Sequence, residues 1–176
     1  MTGKPAERRG ARLAAAQALY QMDLAGTAEK EVVRQFVDHR IGREIDGFAQ
    51  PKADKALFER LVLGASKERA ALDALIQPAL AAGWTLGRLE PVARSLLRLG
   101  AYELRHCLDV PARVAINEYV ELAQDFFEGP EAGFVNGVLD RLAKGLRAAE
   151  FEDDHEEAKT TARPRPKSRH GRRKAG

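Results

Sequence analysis

The chain of 176 residues is poor in the residues that build disulfides and metal centres, with a single cysteine, Cys107, and four histidines. One cysteine cannot form an intramolecular disulfide, and it excludes cysteine-rich zinc sites. No window approaches the roughly 20 apolar residues that a membrane-spanning helix needs. The basic N-terminus is not followed by the apolar stretch of a signal peptide. We therefore expect a soluble, cytoplasmic protein.

Short motifs that carry catalysis or nucleotide binding are also missing. There is no HExxH, no glycine-rich loop ending in Lys-Ser or Lys-Thr, and no Gly-x-Ser-x-Gly. Glu118 and Glu121 share a helix face, but such surface carboxylates are far more often solvated than catalytic. His106 and Cys107 are adjacent and would point about 100° apart on a helix. We expect a protein that binds rather than an enzyme, with no cofactor and no metal.

Positive charge is concentrated at the two ends of the chain. Residues 1–12 carry a net charge of +3, residues 151–176 carry another +3, and the segment between them is mildly acidic. Lys and Arg contacts with phosphates supply most of the sequence-independent affinity for nucleic acids. A basic edge that meets a polyanion and a pair of solubilising tails explain this pattern equally well.

Apolar residues recur at helical spacing along most of the chain. The predicted helices cover about residues 6–25, 28–39, 52–76, 91–108, 111–129 and 131–149, with a bend near Gly64. Residues 40–51 read as a loop, and Trp84 is expected to pack over a helix junction. No segment alternates with period two for long enough to make a sheet. The predicted architecture is all-α, with about seven helices in a bundle.

The stretch "FVNGVLDRL" at 134–142 combines two conflicting signals. Asn-Gly between apolar residues is typical of a hairpin turn, but the apolar residues Phe134, Val135, Val138, Leu139 and Leu142 follow helical spacing. No strand is predicted on either side, so we expect a helix. Gly137 would then cost about 1 kcal/mol relative to alanine. We expect a neighbouring helix, the one carrying "INEYVELA", to cross closely at Gly137, with Asn136 and Asn117 bonding across the junction.

Three regions are predicted along the chain. Residues 1–7 form a flexible basic N-terminus, and residues 8–150 form the helical domain. Residues 151–176 are acidic first and then basic, with hardly an apolar side chain. Such a segment cannot bury enough surface to order itself, so a disordered tail is expected.

The first predicted helix carries a combination of side chains suited to RNA. Arg8 and Arg12 are four residues apart and share a face, and Arg9 lies beside them. Gln17 and Tyr20 follow further along the same helix. Guanidinium groups fork onto phosphates, and glutamine and tyrosine offer hydrogen bonds and a stacking ring. The alternative is that the arginines are merely solvated and that Tyr20 belongs to the core.

Four segments together resemble the NusB family of bacterial transcription antitermination factors. They are "ARLAAAQALYQMDL", "EPVARSLLRLGAYEL", "VPARVAINEYVELAQDF" and "FVNGVLDRLAK", and the resemblance covers roughly residues 8–145. It implies two three-helix bundles and a non-enzymatic protein. It further implies a pair with NusE, a small-ribosomal-subunit protein, that binds boxA RNA of nascent rRNA transcripts and joins NusA, NusG and RNA polymerase.

The resemblance also implies contact residues. Together with Gln17, the residues expected to face RNA are Arg8, Arg9, Arg12, Arg98 and Phe134. Tyr20 and Arg94 are expected at the NusE surface. Two features depart from the family pattern, because Gly133 replaces a basic residue and the acidic residues Glu128 and Glu131 come close to the proposed RNA surface. The basic tail could supply compensating charge.

Other interpretations compete with this one. A similar helical module is fused to rRNA cytosine-5 methyltransferases, but this chain is too short to hold the α/β cofactor domain as well. A helical protein-interaction module without specific RNA binding is the stronger alternative. The resemblance also allows a homodimer that covers the RNA surface, so the sequence leaves the oligomeric state open.

Overall fold

In the computed structural model, which describes residues 4–45, 48, 49 and 52–152, the chain is almost entirely helical. The α-helices are α1 (Pro5–Ala25), α2 (Glu29–His39), α3 (Lys55–Lys67), α4 (Arg69–Ile76), α5 (Pro91–His106), α6 (Ala112–Phe126) and α7 (Glu131–Leu146). Two short 3-10 turns, Gln77–Ala79 and Leu86–Arg88, connect α4 to α5. The predicted all-α architecture with about seven helices is confirmed.

The predicted loop at 40–51 holds a small additional element. Strands β1 (Glu44–Ile45) and β2 (Phe48–Ala49) pair antiparallel, with Glu44 opposite Ala49. Two residues per strand are too few for a hydrophobic alternation pattern, which is why the sequence did not reveal them. The chain bends back on itself here before α3 begins.

Local signals set the ends of several helices. In α1, Pro5 occupies the first turn, and the helix ends at Gly26, whose φ of 64° suits glycine. Residues 5–7, which the prediction assigned to a flexible N-terminus, are therefore helical. At the start of α5 the Glu90 carboxylate accepts a hydrogen bond from the Val92 N–H at 2.7 Å. These ends follow from residues that lie within a few positions of one another.

The predicted helix 52–76 is interrupted, but not where a bend was expected. It divides into α3 and α4 at Glu68, whereas Gly64 lies inside the regular part of α3. A Cβ atom at Gly64 would collide with the ring of Tyr102 on α5. The glycine therefore permits close packing of α3 on α5, and the break at Glu68 lets α4 turn to pack along α5 as well.

The helices form two three-helix bundles around a continuous core. Helices α1, α2 and α3 make the first bundle, and α5, α6 and α7 make the second. Helix α5 is buried nearly all round and packs against α1, α3, α4, α6 and α7. A helix surrounded in this way is central to its fold, so α5 is the element that joins the two bundles. No helix among the described residues is long and apolar enough to cross a membrane.

The stretch "FVNGVLDRL" lies inside α7, so the helical prediction is confirmed. The expected helix crossing at Gly137 is wrong, because no atom beyond the adjoining residues and the backbone of its own helix lies within 4 Å of a Cβ placed there. Asn136 and Asn117 are both exposed rather than bonded in a junction. The close approach occurs at Gly100 of α5, where an added Cβ would lie 2.7 Å from a methyl group of Leu139.

The C-terminal region is described only up to residue 152. A final helical turn spans residues 149–152, and Phe151 packs against the core. The predicted disordered tail lies outside the described residues except for its first two positions. Those two residues, Phe151 and Glu152, are helical.

Candidate nucleic-acid interface

The arginines at the start of α1 have different surroundings. Arg9 lies near the surface and forms ion pairs with two carboxylates of α6, Glu121 at 2.5 Å and Asp125 at 2.7 Å. Arg8 is half-buried. Both remain close enough to solvent to meet a phosphate backbone, and their assignment to RNA stays a prediction.

Arg12 was expected to face RNA, but the structure places its side chain in the interior. Only 2% of the residue is exposed, and its Nε donates a hydrogen bond to Glu103 Oε2 at 3.0 Å. Glu118 lies 3.3 Å away, and the Tyr119 hydroxyl donates to Glu103 at 2.8 Å. Because the guanidinium group is enclosed by these partners, Arg12 does not face RNA in this structure. It ties α1 to α5 and α6.

Buried charge shifts the titration of this cluster. Burial by itself would lower the pKa of Arg12, but the hydrogen bond and charge of Glu103 more than offset that effect and raise the pKa. Burial and then the charge of Glu103 raise the pKa of Tyr119 well above its ordinary value. Arg12 therefore stays cationic, and Tyr119 stays a neutral hydrogen-bond donor.

Arg98, which was also expected to face RNA, is buried as well. It is 5% exposed, and its guanidinium group bonds Asp73 of α4 at 2.7 Å and Asp23 of α1 at 3.1 Å. Burial would lower its pKa, but the hydrogen bond and charge of Asp73, together with Asp23, raise it. Arg98 thus holds α1, α4 and α5 together and is closed to RNA in this structure.

Arg94 and Tyr20, expected at the partner surface, lie near the C-terminal end of α1. Arg94 contacts Asp23 at 3.2 Å and retains some exposure. Tyr20 is half-buried, so neither the fully exposed nor the fully core interpretation describes it. An open groove beside it is lined by Gln17, Tyr20, Gln21, Leu24, Ala25 and Arg40. Gln17 is exposed there and is available for hydrogen bonding.

Phe134 lies in the first turn of α7 and is partly buried beside Trp84. The two ring centroids are 6.4 Å apart, and the Arg88 guanidinium lies 5.6 Å from the Trp84 ring. These residues line a groove of about 470 Å³ that also includes Glu131. Trp84 is 48% exposed rather than fully packed over a junction. Sequence reasoning missed Arg88, because nothing in a lone arginine signals a neighbouring aromatic ring.

The predicted contact residues fall into two clusters. Arg9 contacts the last two turns of α6, and residues 127–130 lead from there to α7 and Phe134. At the other end of α1, Tyr20 lies about one turn before Asp23, and Arg94 of α5 contacts Asp23. The chain therefore offers one candidate surface flanking the α6–α7 connection and another around the C-terminal end of α1.

No arrangement suited to catalysis or metal binding stands out among the described residues. Cys107 is fully buried, and burial followed by the charge of Glu103 raises its pKa to about 11. A thiol in that state is a poor nucleophile. Within the described ranges, no group of three or more His, Cys, Asp or Glu residues could hold a metal ion.

Comparison with known proteins identifies the fold. A model of the NusB family matches residues 9–144. The chain belongs to the NusB family. It is 49% identical over 149 residues to the transcription antitermination protein NusB of Rhodopseudomonas palustris (strain BisB18), covering 84% of this chain and 88% of that protein. It is also 49% identical to NusB of Caulobacter vibrioides, over 78% of this chain and 92% of the relative.

Solved structures agree with this membership of the NusB family. T. maritima NusB superposes with a TM-score of 0.70 at 30% identity, covering 86% of this chain and 99% of the other. A crystal structure of antitermination factors NusB and NusE in complex with dsRNA gives a TM-score of 0.61 at 29% identity, covering 81% and 99%. The two-bundle NusB fold is thus shared across these proteins.

Proposed function

We propose that this chain is a transcription antitermination factor that pairs with NusE and binds boxA RNA of nascent rRNA transcripts. Through that pair it would join NusA, NusG and RNA polymerase. The observation that carries the proposal is the match along almost the whole length of curated proteins named for transcription antitermination. A structural relative that is a complex of NusB and NusE with double-stranded RNA supports both partner classes.

The described surface suits two partners at once. Arg8 and Arg9 at the start of α1, with Phe134 across the α6–α7 connection, offer charge and a ring to RNA. Tyr20 and Arg94, with the adjoining groove, offer a mixed apolar and polar surface to NusE. Arg12 and Arg98 contribute indirectly in this proposal, since they hold α1 in place against α5.

One observation favours a helical protein-interaction module without specific RNA binding. Glu121 and Asp125 already neutralise Arg9, and Glu131 adds negative charge beside Phe134. An RNA phosphate must compete with these carboxylates for the same guanidinium group. These carboxylates would weaken RNA binding at this surface and leave it to a protein partner.

The deciding experiment uses the full chain, alone and with purified NusE, titrated against boxA RNA and a scrambled RNA at two salt concentrations. We expect the pair to prefer boxA and its affinity to fall as salt rises, because phosphate contacts release counterions. Light scattering on the same samples measures whether a homodimer forms and whether NusE dissociates it. If neither protein state distinguishes boxA from the scrambled RNA, the protein-interaction alternative replaces the antitermination proposal.

A further inference from the structure

The connection between α4 and α5 holds a large aromatic side chain out in solvent. Trp84 is 48% exposed, although its backbone is held firmly. The Gln77 side-chain amide donates to the Trp84 carbonyl at 2.9 Å and accepts from the Leu86 N–H at 3.2 Å. Gly83 supplies the turn just before it, with a φ of 83° that favours glycine. The backbone that carries the exposed ring is therefore held in place by local hydrogen bonds.

The arginine beside this ring is likewise held by a hydrogen bond to the local backbone. Arg88 lies with its guanidinium carbon 5.6 Å from the Trp84 ring centre, and its NH1 donates to the Gly83 carbonyl at 3.2 Å. Elsewhere in the described residues, Arg40 covers Phe36 and Arg113 covers Phe151, but Phe36 is buried and Phe151 is half-buried. The Trp84 pair thus has the most open ring.

The space beside the pair fits a flat ligand. The groove has a volume of about 470 Å³, within the range of about 300–1,000 Å³ typical of small-molecule sites. Apolar side chains such as Leu89, Ala93 and Pro130 line it, together with Phe134. Glu90 and Glu131 also lie at the groove. Their negative charges disfavour a phosphate inside it, so the part of a nucleic acid that fits here is a base.

We propose that Trp84, Arg88 and Phe134 form a stacking site for one unpaired base of the bound RNA. Single-stranded RNA is commonly held by stacking its bases on aromatic rings and arginine planes. Because the Trp84 ring already lies against Phe134 and Arg88, little side-chain freedom is lost on binding. The inference rests on the proposed RNA-binding function and adds Trp84 and Arg88 to the residues that carry it.

The first test uses the only tryptophan of the chain as its own reporter. The full chain with NusE is titrated with boxA RNA while tryptophan emission is recorded, after the signal of NusE alone is subtracted. Base stacking on Trp84 is expected to quench this emission in step with binding, which anisotropy of labelled RNA measures independently. A scrambled RNA at equal concentration is expected to quench less.

Variants separate stacking from charge. Trp84→Ala is expected to weaken RNA binding roughly 5- to 100-fold without changing the dependence of affinity on salt, since no phosphate contact is lost. Trp84→Phe keeps a ring and is expected to retain most of the affinity. Arg88→Gln is expected to weaken binding, because the guanidinium plane beside the Trp84 ring is lost.

The matched control is Leu108→Ala, which shortens a 69% exposed apolar side chain in the connection between α5 and α6. It should leave RNA affinity unchanged, and circular dichroism should show equal helicity in every variant. If RNA binds with unchanged Trp84 emission and Trp84→Ala stays within twofold of wild type, the stacking site is wrong while the antitermination proposal stands. If NusE alone changes the emission and RNA adds nothing, the groove is a protein-docking surface. If no RNA is preferred, both proposals fall.

Discussion

At the scale of single residues, Arg12 and Arg98 show that an arginine on a helix can be either exposed to a ligand or buried against carboxylates. Both resemble RNA-binding residues by type and position, but each is enclosed by carboxylates. The decisive partner of Arg12, Glu103, is 91 residues away in the chain. Helical spacing relates only neighbours along the sequence, so it could not reveal that partner.

Replacing Arg12 with glutamine is expected to destabilise the protein by about 3–5 kcal/mol, because Glu103 would be left buried without its cation. Urea unfolding followed by circular dichroism measures the change. Arg9→Gln is the matched control and should cost at most about 1 kcal/mol, since its ion pairs with Glu121 and Asp125 are exposed. Equal, small losses in both variants would show that the Arg12 cluster contributes little to stability.

At the scale of elements, the helix ends were predictable wherever a terminating residue lies in the chain. Gly26 ends α1, and Pro91 begins α5 behind the Glu90 cap. The division between α3 and α4 was misplaced, because Glu68 is neither glycine nor proline. The Glu68 carboxylate lies 2.9 Å from the His106 ring at the end of α5, and α4 packs along α5. The position of the break is therefore set by tertiary contacts rather than by a local signal in the sequence.

Two glycines inside helices have surroundings that the sequence does not reveal. Gly137 in α7 faces open space, whereas Gly100 in α5 lies against Leu139 and Tyr119. Gly137→Ala is therefore expected to stabilise the protein by about 0.5–1 kcal/mol through helix propensity. Gly100→Ala is expected to destabilise it by about 1–3 kcal/mol, because the Leu139 and Tyr119 side chains must move.

Thermal unfolding of the two alanine variants side by side tests this pair, since the same substitution is made in two helices. A loss of stability at Gly137 would restore the original interpretation of a helix crossing there. No change at Gly100 would mean that Leu139 adopts another rotamer at little cost.

At the scale of the whole molecule, the distribution of charge controls how α1 can meet RNA. The start of α1 is basic, but α6 presents Glu121 and Asp125 directly to Arg9. The composition already indicated a mildly acidic middle segment, and the fold places part of that acidity beside the basic end. RNA that binds through Arg9, as proposed, must therefore displace or tolerate two carboxylates.

The double variant Glu121→Gln with Asp125→Asn is expected to bind boxA RNA about three- to tenfold more tightly in the presence of NusE. Removing the carboxylates frees Arg9 and removes repulsion of the phosphates, effects that together are worth on the order of 1 kcal/mol in water. Anisotropy at two salt concentrations measures the affinity, and the gain should shrink at high salt.

Glu31→Gln on α2, which removes an exposed partner of Arg34, is the control and should change RNA affinity less than twofold. An unchanged affinity in the double variant would show that RNA does not approach the contact between α1 and α6. The Arg8 and Arg9 assignment would then have to be abandoned.

The sequence by itself determined the all-α class, the positions of most helices and membership of the NusB family. These follow from apolar periodicity, from terminating residues and from motifs that act over a few neighbouring positions. Only the tertiary structure decided which charged and aromatic side chains are buried and which are exposed. Arg12, expected at the surface, is buried, and Trp84, expected to pack over a helix junction, is exposed. Burial depends on residues that the fold brings together from distant parts of the chain, which local sequence patterns do not report.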